Sequence, residues 1–485
     1  MSIGEVYDRE DGLGLGRLVC VGSITPAELL EEAIARLERV NPRLNAVTAR
    51  LFERARERAA APASGPFAGV PFLAKDLGPP LAGAVQSMGS RYFSTYRPQA
   101  DHEFFLRARS AGLNVFAKTS TPEFGLLPYT EPALFGACRN PWDLARTPGG
   151  SSGGSAALCA AGVVPLAHAN DMGGSIRIPA SCTGLFGMKP TRGSVPTTGG
   201  VIGEANVDLA VSRSVRDSAA LFDAVALRDA RALEAVSRDP RSLRIAVVRG
   251  PMLGHGISAE SRAALDAAAG QCEALGHTIV DDEPQGIDYP AMSYALLLFF
   301  ASQIGWHLGA GNPTPEKKVA RDDLEPATQA MLAIARVLPM DELTTAAHNA
   351  RRLREAFATF MQRYDAVLTP TLAAPPVRIG ELALSRAEEL QIALLTRVRS
   401  KALIRKAARD ISARMFDWLP YTPVFNLTGQ PAMNVPLFST GDNLPAGVQF
   451  AGRWNDEETL FSLAGQLERA YPWRKKRPPL WSGEG

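Results

Sequence analysis

The chain has 485 residues, 46% of them hydrophobic, with 52 basic and 50 acidic side chains and a formal charge of +2. That balance excludes nucleic-acid or anionic-membrane binding driven by bulk charge, and the apolar content is ample for a packed core. The five cysteines, at 20, 138, 159, 182 and 272, show no metal-ligand or CxxC spacing and read as reduced, mostly buried small side chains.

The opening segment MSIGEVYDREDGLGLGRL has early acids and several glycines but no apolar core, so no signal peptide is read there. The longest apolar run, YALLLFF at 294–300, falls far short of the ~18 residues of a membrane span, and a cytoplasmic protein is expected. Residues 24–40 predict a helix. Thr25 and Glu28 form a capping box, Pro26 takes the first helical position, and Leu30, Ala33, Ile34, Leu37 and Val40 make one apolar stripe. Asn41-Pro42 is expected to end it.

FAGVPFLAKDL (67–77) and GLNVFAKT (112–119) read as buried strands, the second following a helix that starts near Asp101. Buried, non-alternating strands separated by helices predict a sheet covered on both faces. RTPGGSSGGS (146–155) must be a loop, with a helix at 156–161, a strand at 162–169 and a second glycine loop, NDMGGS, at 170–175. Further strands are expected at 244–249, 364–369, 432–436 and 446–451, and helices at 259–275 and 457–470. Residues 285–360 carry helical patterns and read as an insertion that shapes a pocket. Pro478 to Gly485 reads as a loose tail.

The glycine-serine loop has several chemical readings. A phosphate-binding loop needs a lysine and a Ser/Thr after its last glycine, whereas Ser155 and Ala156 follow Gly154 here. Gly149-Gly150-Ser151-Ser152-Gly153 fits the G-x-S-x-G elbow of an α/β-hydrolase, with Ser151 as nucleophile and a downstream acid and histidine. His255, His277, His307 and His348 are available, none in a distinctive context. The third reading is a serine that relays a proton.

The third reading gains from a set of segments in order over about residues 20–470: GVPFLAKD (69–76), KTSTPEFG (118–125), RNPWD (139–143), PGGSSGGSAA (148–157), NDMGGSIRIPAS (170–181), GMKPTRG (187–193), SRSVRD (212–217), LTPT (368–371), NLTGQPAMNVP (426–436) and AGVQF (446–450). In these the chain resembles the amidase signature family of serine hydrolases. HANDMGGSIRIPAS and TEPALFGACRNPW are most similar to a subgroup that hydrolyses cyclic dimers of nylon oligomers. The resemblance implies one large α/β unit over 1–485, with a mixed, mostly parallel sheet covered by helices on both faces. Its parts are an N-terminal helical part (1–65), a catalytic core (66–230) and the helical insertion at 285–360. It also implies roles: Ser175 as nucleophile, Ser151 as bridging serine, Lys75 as general base, and Met172, Gly173, Gly174 and Ser175 as backbone donors of an oxyanion hole. Gly125 and Ser151 would line the substrate site.

These residue types suit acyl transfer. Serine is a weak nucleophile that needs a base in hydrogen-bond reach. Lysine serves only when neutral, which burial beside Phe72, Leu73 and Ala74 favours. Asp76 works against that unless it points elsewhere or has another partner. A hydroxyl donates and accepts at once, as a relay requires. Asp171 and Arg177 are expected to pair and brace the loop. The family commonly has Thr where this chain has Asn170, a change expected to alter an outer hydrogen bond without touching the three catalytic side chains.

No metal or cofactor is implied. The expected substrates are medium-sized apolar or aryl amides, with carbamates (urethanes) and esters cleaved by the same acylation. Met172, Phe124, Leu126, Leu127, Tyr129, Phe299, Phe300 and Trp306 are candidates for an apolar pocket, although most would serve equally as core. Two other readings differ in class. One is the glutaminase subunit of a tRNA-dependent amidotransferase, which works with a partner and nucleic acid. The other is a non-catalytic scaffold, against which all three catalytic positions stand intact. The preferred reading has no nucleic-acid or membrane partner and a monomer or homodimer.

Overall fold

The computed structural model describes residues 2–198, 205–314, 317–398 and 400–483. Strands β1 (Val47–Arg50), β2 (Pro71–Lys75) and β3 (Asn114–Thr119) form a small sheet in the order β1-β3-β2. The others are β4 (Leu166–Asp171), β5 (Phe186–Lys189), β6 (Val207–Ser212), β7 (Arg244–Val247), β8 (Thr278–Asp281), β9 (Ala366–Pro370), β10 (Ala432–Ser439) and β11 (Pro445–Gly452). They make one sheet in the order β4-β6-β5-β10-β11-β9-β7-β8.

The chain is a single α/β domain with mixed sheets, as expected, but the parallel majority is not found. Among the described strands of the large sheet, only β7–β8 and β7–β9 pair in parallel, and the other five pairings are antiparallel. The mostly parallel sheet was what the resemblance implied, whereas the unbroken apolar runs report only burial on both faces, which does not depend on strand direction. The five residues between β10 and β11 are too few for a crossover, so that pair must be a hairpin.

Alternation along β11 shows the two covered faces. Val448 and Phe450 share a core with Leu460 and Phe461 of the helix Glu457–Ala470. Gln449, between them, faces the other way and meets Arg177 of the helix Arg177–Thr183. The last helix buries Leu460, Leu463, Ala464 and Leu467 as its spacing predicts.

The helix Pro26–Leu44 has the expected Thr25/Glu28 capping box and buries the expected stripe. It runs through Pro42 and ends at Asn45, in the left-handed region with φ 52°. The Asn41 side chain accepts from Ala46 N (2.9 Å) and Val47 N (3.2 Å), closing the end one turn later than the proline signal implies. The helix after the glycine-serine loop spans Gly153–Ala160, so two glycines lie in its first turn. The C-terminal segment is not loose. Leu480 is buried, Ser482 N donates to Ala161 O at 2.8 Å, and Trp481 takes the Arg213 and Arg477 guanidinium groups on its ring, each 4.7 Å from the centroid. Residues 484 and 485 of that expected tail lie outside the described residues.

In the 285–360 region stand the helices Tyr289–His307, Pro326–Val337 and Met340–Phe360. Two more, Arg386–Val398 and Lys401–Ser412, pack against that group. Among the described residues no helix is long and apolar enough to cross a membrane.

Candidate active site

Lys75 is the last residue of β2, a strand buried along its whole length. Its ammonium nitrogen lies 2.7 Å from Ser151 Oγ and 2.6 Å from Asn170 Oδ1. Complete burial of Lys75 disfavours its charged form and pushes its pKa down to about 7, against the opposing pull of the Asp208 and Asp171 carboxylates. Asp76, next in sequence, turns away. Its carboxylate pairs with Lys118 Nζ at 2.9 Å and accepts from Ser87 Oγ.

Ser151 lies in the turn before the helix Gly153–Ala160, and the Gly150–Ser151 peptide is cis. The glycines here are required by close approach. A Cβ on Gly150 would lie 2.7 Å from Tyr129 N, and one on Gly154 would lie 2.5 Å from Ser120 N. Gly125 has φ 67°, and a Cβ there would lie 3.0 Å from Ser151 Oγ, so the Gly125 backbone flanks that hydroxyl.

Ser175 sits between β4 and the helix Arg177–Thr183, half-buried in the wall of the same cavity as Ser151. Among the described residues its hydroxyl makes no hydrogen bond. The loop around it is organised by Asp171. One carboxylate oxygen accepts from Gly174 N (2.7 Å) and the other from Ile176 N (3.2 Å), while Arg177 forks onto both at 2.9 Å. Arg177 also donates to Gln449 Oε1 and Asn426 Oδ1, and Asn426 Nδ2 returns a bond to Asp171. The Arg177 guanidinium and neighbouring donors hold the Asp171 carboxyl down at about 2 despite complete burial. The expected Asp171–Arg177 pair is thus formed.

The proposed donor set needs one correction. Gly174 N–H is taken by Asp171, because the loop folds back over the carboxylate that ends β4. Among the described residues no protein acceptor engages the N–H groups of Met172, Gly173 and Ser175. A second correction concerns Asn170. It touches Lys75 directly, and its Nδ2 donates to Leu77 O at 3.1 Å, which fixes Oδ1 toward the lysine.

Sequence reasoning also missed the buried pair beneath Lys75. His168 Nδ1 accepts from Lys75 N at 3.3 Å, and Nε2 meets Asp208 Oδ1 at 3.2 Å. Asn426 and Gln449 lie in family-like segments, so their presence was legible although their partner was not. Among the described residues no imidazole bonds to Ser151. His255 pairs with Asp417, His277 lies against Gln466, and His307 packs on Phe124.

The cavity holds about 1290 Å³. Met172, Phe124, Leu126, Leu127, Tyr129, Phe300 and Trp306 line it, whereas Phe299 points into the core of the helical half. Among the described residues no cluster of three His, Cys, Asp or Glu could hold a metal ion.

Comparison with known proteins agrees with this architecture. The Amidase family model matches residues 28–461. A 6-aminohexanoate-cyclic-dimer hydrolase of Pseudomonas sp. (strain NK87) is 36% identical over 498 residues, covering 97% of each chain. The putative amidase AmiB2 of Mycobacterium tuberculosis (strain ATCC 25618 / H37Rv) is 36% identical over 96% of each. A solved 6-aminohexanoate cyclic dimer hydrolase in complex with substrate superimposes with TM-score 0.86 at 33% identity, covering 98% of this chain and 99% of that one. The fold, the ordered motifs and these matches together establish that the chain belongs to the Amidase family of amide-bond hydrolases.

Proposed function

We infer that this chain hydrolyses neutral amides through a Ser175 acyl-enzyme, with Ser151 as proton relay and Lys75 as base. The observation that carries the reading is the 2.7 Å contact between a buried lysine, its pKa lowered to about 7, and Ser151 Oγ, at a cavity that also exposes Ser175. A neutral Lys75 donates one N–H to Asn170 Oδ1 and turns its lone pair to the Ser151 O–H. Ser151 passes its proton to Lys75 and takes that of Ser175, through a hydrogen bond that must form when substrate is bound. Ser175 Oγ then attacks the carbonyl carbon. The developing oxyanion is met by the N–H groups of Gly173 and Ser175, with Met172 N adjacent. As the C–N bond breaks, the proton held on Lys75 returns through Ser151 to the leaving amine. Water attacks the acyl-enzyme by the same relay and frees Ser175.

The apolar cavity and the names of the relatives support medium-sized apolar, aryl or oligomeric amides as substrates. Carbamates and esters acylate the same serine. A fluorophosphonate probe applied to wild type, Ser175→Ala and Lys75→Ala tests the mechanism. The adduct is expected on Ser175, absent in Ser175→Ala and strongly slowed in Lys75→Ala. An adduct on Ser151 would overturn it. Assaying an anilide, a carbamate, an ester and glutamine side by side tests the substrate class, and ammonia release from glutamine alone would overturn it.

A further inference from the structure

We propose that Asp208 is a positioning residue of the reaction: held one side chain away from Lys75, it stabilises the ammonium group that forms when Lys75 takes the relay proton. This rests on the amide-hydrolase reading and assigns what sets the strength of its base. Two chains of contact link the groups. Through the backbone, Lys75 N donates to His168 Nδ1 at 3.3 Å, and Nε2 on the far side of that ring lies 3.2 Å from Asp208 Oδ1. Through the side chain, Lys75 Nζ meets Asn170 Oδ1 at 2.6 Å, and Asn170 stands directly opposite Asp208 in the pairing of β4 with β6, so the two side chains share one face of the sheet. Gly78 marks how close they come, since a Cβ there would lie 2.5 Å from Asn170 Nδ2 and 3.1 Å from Asp208 Oδ1.

The surroundings of Asp208 are donors. With Nδ1 accepting from Lys75 N, His168 carries its proton on Nε2 and points it at Asp208. Thr197 Oγ1 donates to Asp208 Oδ2 at 2.6 Å, and Asn206 Nδ2 does so at 3.4 Å. Burial lowers the pKa of His168 and keeps it neutral, so the carboxylate is not cancelled by the imidazole beside it. His102, at the start of the helix Glu103–Ser110, feels the same carboxylate and is likewise held down by burial. Other cations nearby are matched in direct contact, Lys118 with Asp76 and Arg177 with Asp171, each at 2.9 Å. Lys75 instead meets only uncharged atoms among the described residues. Of the carboxylates that act on it from a distance, Asp208 pulls hardest, ahead of Asp171. A carboxylate in contact would hold Lys75 as an ammonium group. With none nearby, a buried amine would be too weak a base to take the proton of Ser151. Asp208, one side chain away, gives the intermediate case.

The test follows the rate of fluorophosphonate labelling of Ser175 against pH in the full chain, in wild type, Asp208→Asn and Thr197→Val, with thermal unfolding as the check on folding. Asp208→Asn keeps the size of the side chain and an acceptor for His168 but removes the charge. Its acid limb should move down by about one pH unit, so that labelling at about pH 6 rises several-fold relative to its own plateau. The plateau itself should fall several-fold, because the base is weaker. Thr197→Val keeps the carboxylate and removes one of its donors, leaving more of its charge to act on Lys75. Its limb should move up, and it decides the matter if Asp208→Asn does not fold. A folded Asp208→Asn whose limb stays at the wild-type position overturns the proposal even if its plateau falls, since a merely structural residue would do the same. Where Asp208→Asn does not fold, a Thr197→Val limb that moves down or not at all overturns it. So does a wild type that is labelled at Ser175 without an acid limb near 7. A wild type that is not labelled at Ser175 defeats the amide-hydrolase reading itself.

Discussion

Lys75 and Asp76 are consecutive in sequence, yet their charged ends lie in separate networks. Lys75 reaches Ser151 and Asn170, whereas Asp76 is paired with Lys118 at 2.9 Å. Lys75 is thereby spared the carboxylate next to it in sequence, and its burial lets it be neutral near pH 7. Lys118 and Asp76 are each 1% exposed, so removing one partner leaves a buried charge uncompensated. Lys118→Met is expected to destabilise the fold by about 3–5 kcal/mol, and Lys118→Met with Asp76→Asn to recover part of the loss, in urea unfolding of the three proteins.

The pH dependence of the proposed mechanism follows from Lys75. Below about pH 7 Lys75 is protonated and cannot accept from Ser151, and above it the neutral form dominates. The kcat/KM for an anilide should therefore rise with pH through about 7 and level off beyond. A profile that falls over that range would exclude Lys75 as the base.

Asn170→Asp places a carboxylate on the lysine in place of an uncharged acceptor 2.6 Å away. The charged form of Lys75 is then favoured and the acid limb of the profile moves up. A shift of one pH unit lowers activity about tenfold at pH below the limb, with recovery at higher pH. A variant equally impaired at every pH would assign Asn170 a merely structural part.

Arg177→Met removes the fork from Asp171 in a fully buried pair. The expected cost is about 3–5 kcal/mol, seen in thermal unfolding, because the carboxylate stays buried. The pair also sets acid behaviour. The folded-state pKa of Asp171 lies below its ordinary value, so its stabilising contribution is present above pH 3.8 and is lost as pH falls toward about 2. In wild type this loss adds to acid unfolding. In Arg177→Met the carboxyl keeps its burial but loses its cation, so unfolding should begin at higher pH.

On the proposed mechanism Ser151→Ala breaks the relay but leaves Ser175 and the loop donors in place. Turnover of an anilide should fall by roughly 10²–10⁴, the usual worth of positioned proton transfer. Fluorophosphonate should still find Ser175, though slowly.

Features set by local chemistry could be read directly from the residues. The helix Pro26–Leu44 was legible because a capping box, a proline at its start and an apolar stripe all act within a few residues of one another. The glycine loops were legible because other side chains would collide there, as the Cβ positions at Gly150 and Gly154 show. The ordered motifs marked Lys75, Ser151 and Ser175 along the chain and implied the family. What those residues meet depends on how distant segments pack together. Lys75 and Ser151 are 76 positions apart, and Arg177 and Gln449 are 272 apart. No local pattern announces Asn170 as a partner of the lysine, Lys118 as the partner of Asp76, or the capture of Gly174 N–H by Asp171. The direction of the strands was hidden for a related reason. Burial on both faces writes the same apolar run into parallel and antiparallel strands, and only the path of the connections tells them apart.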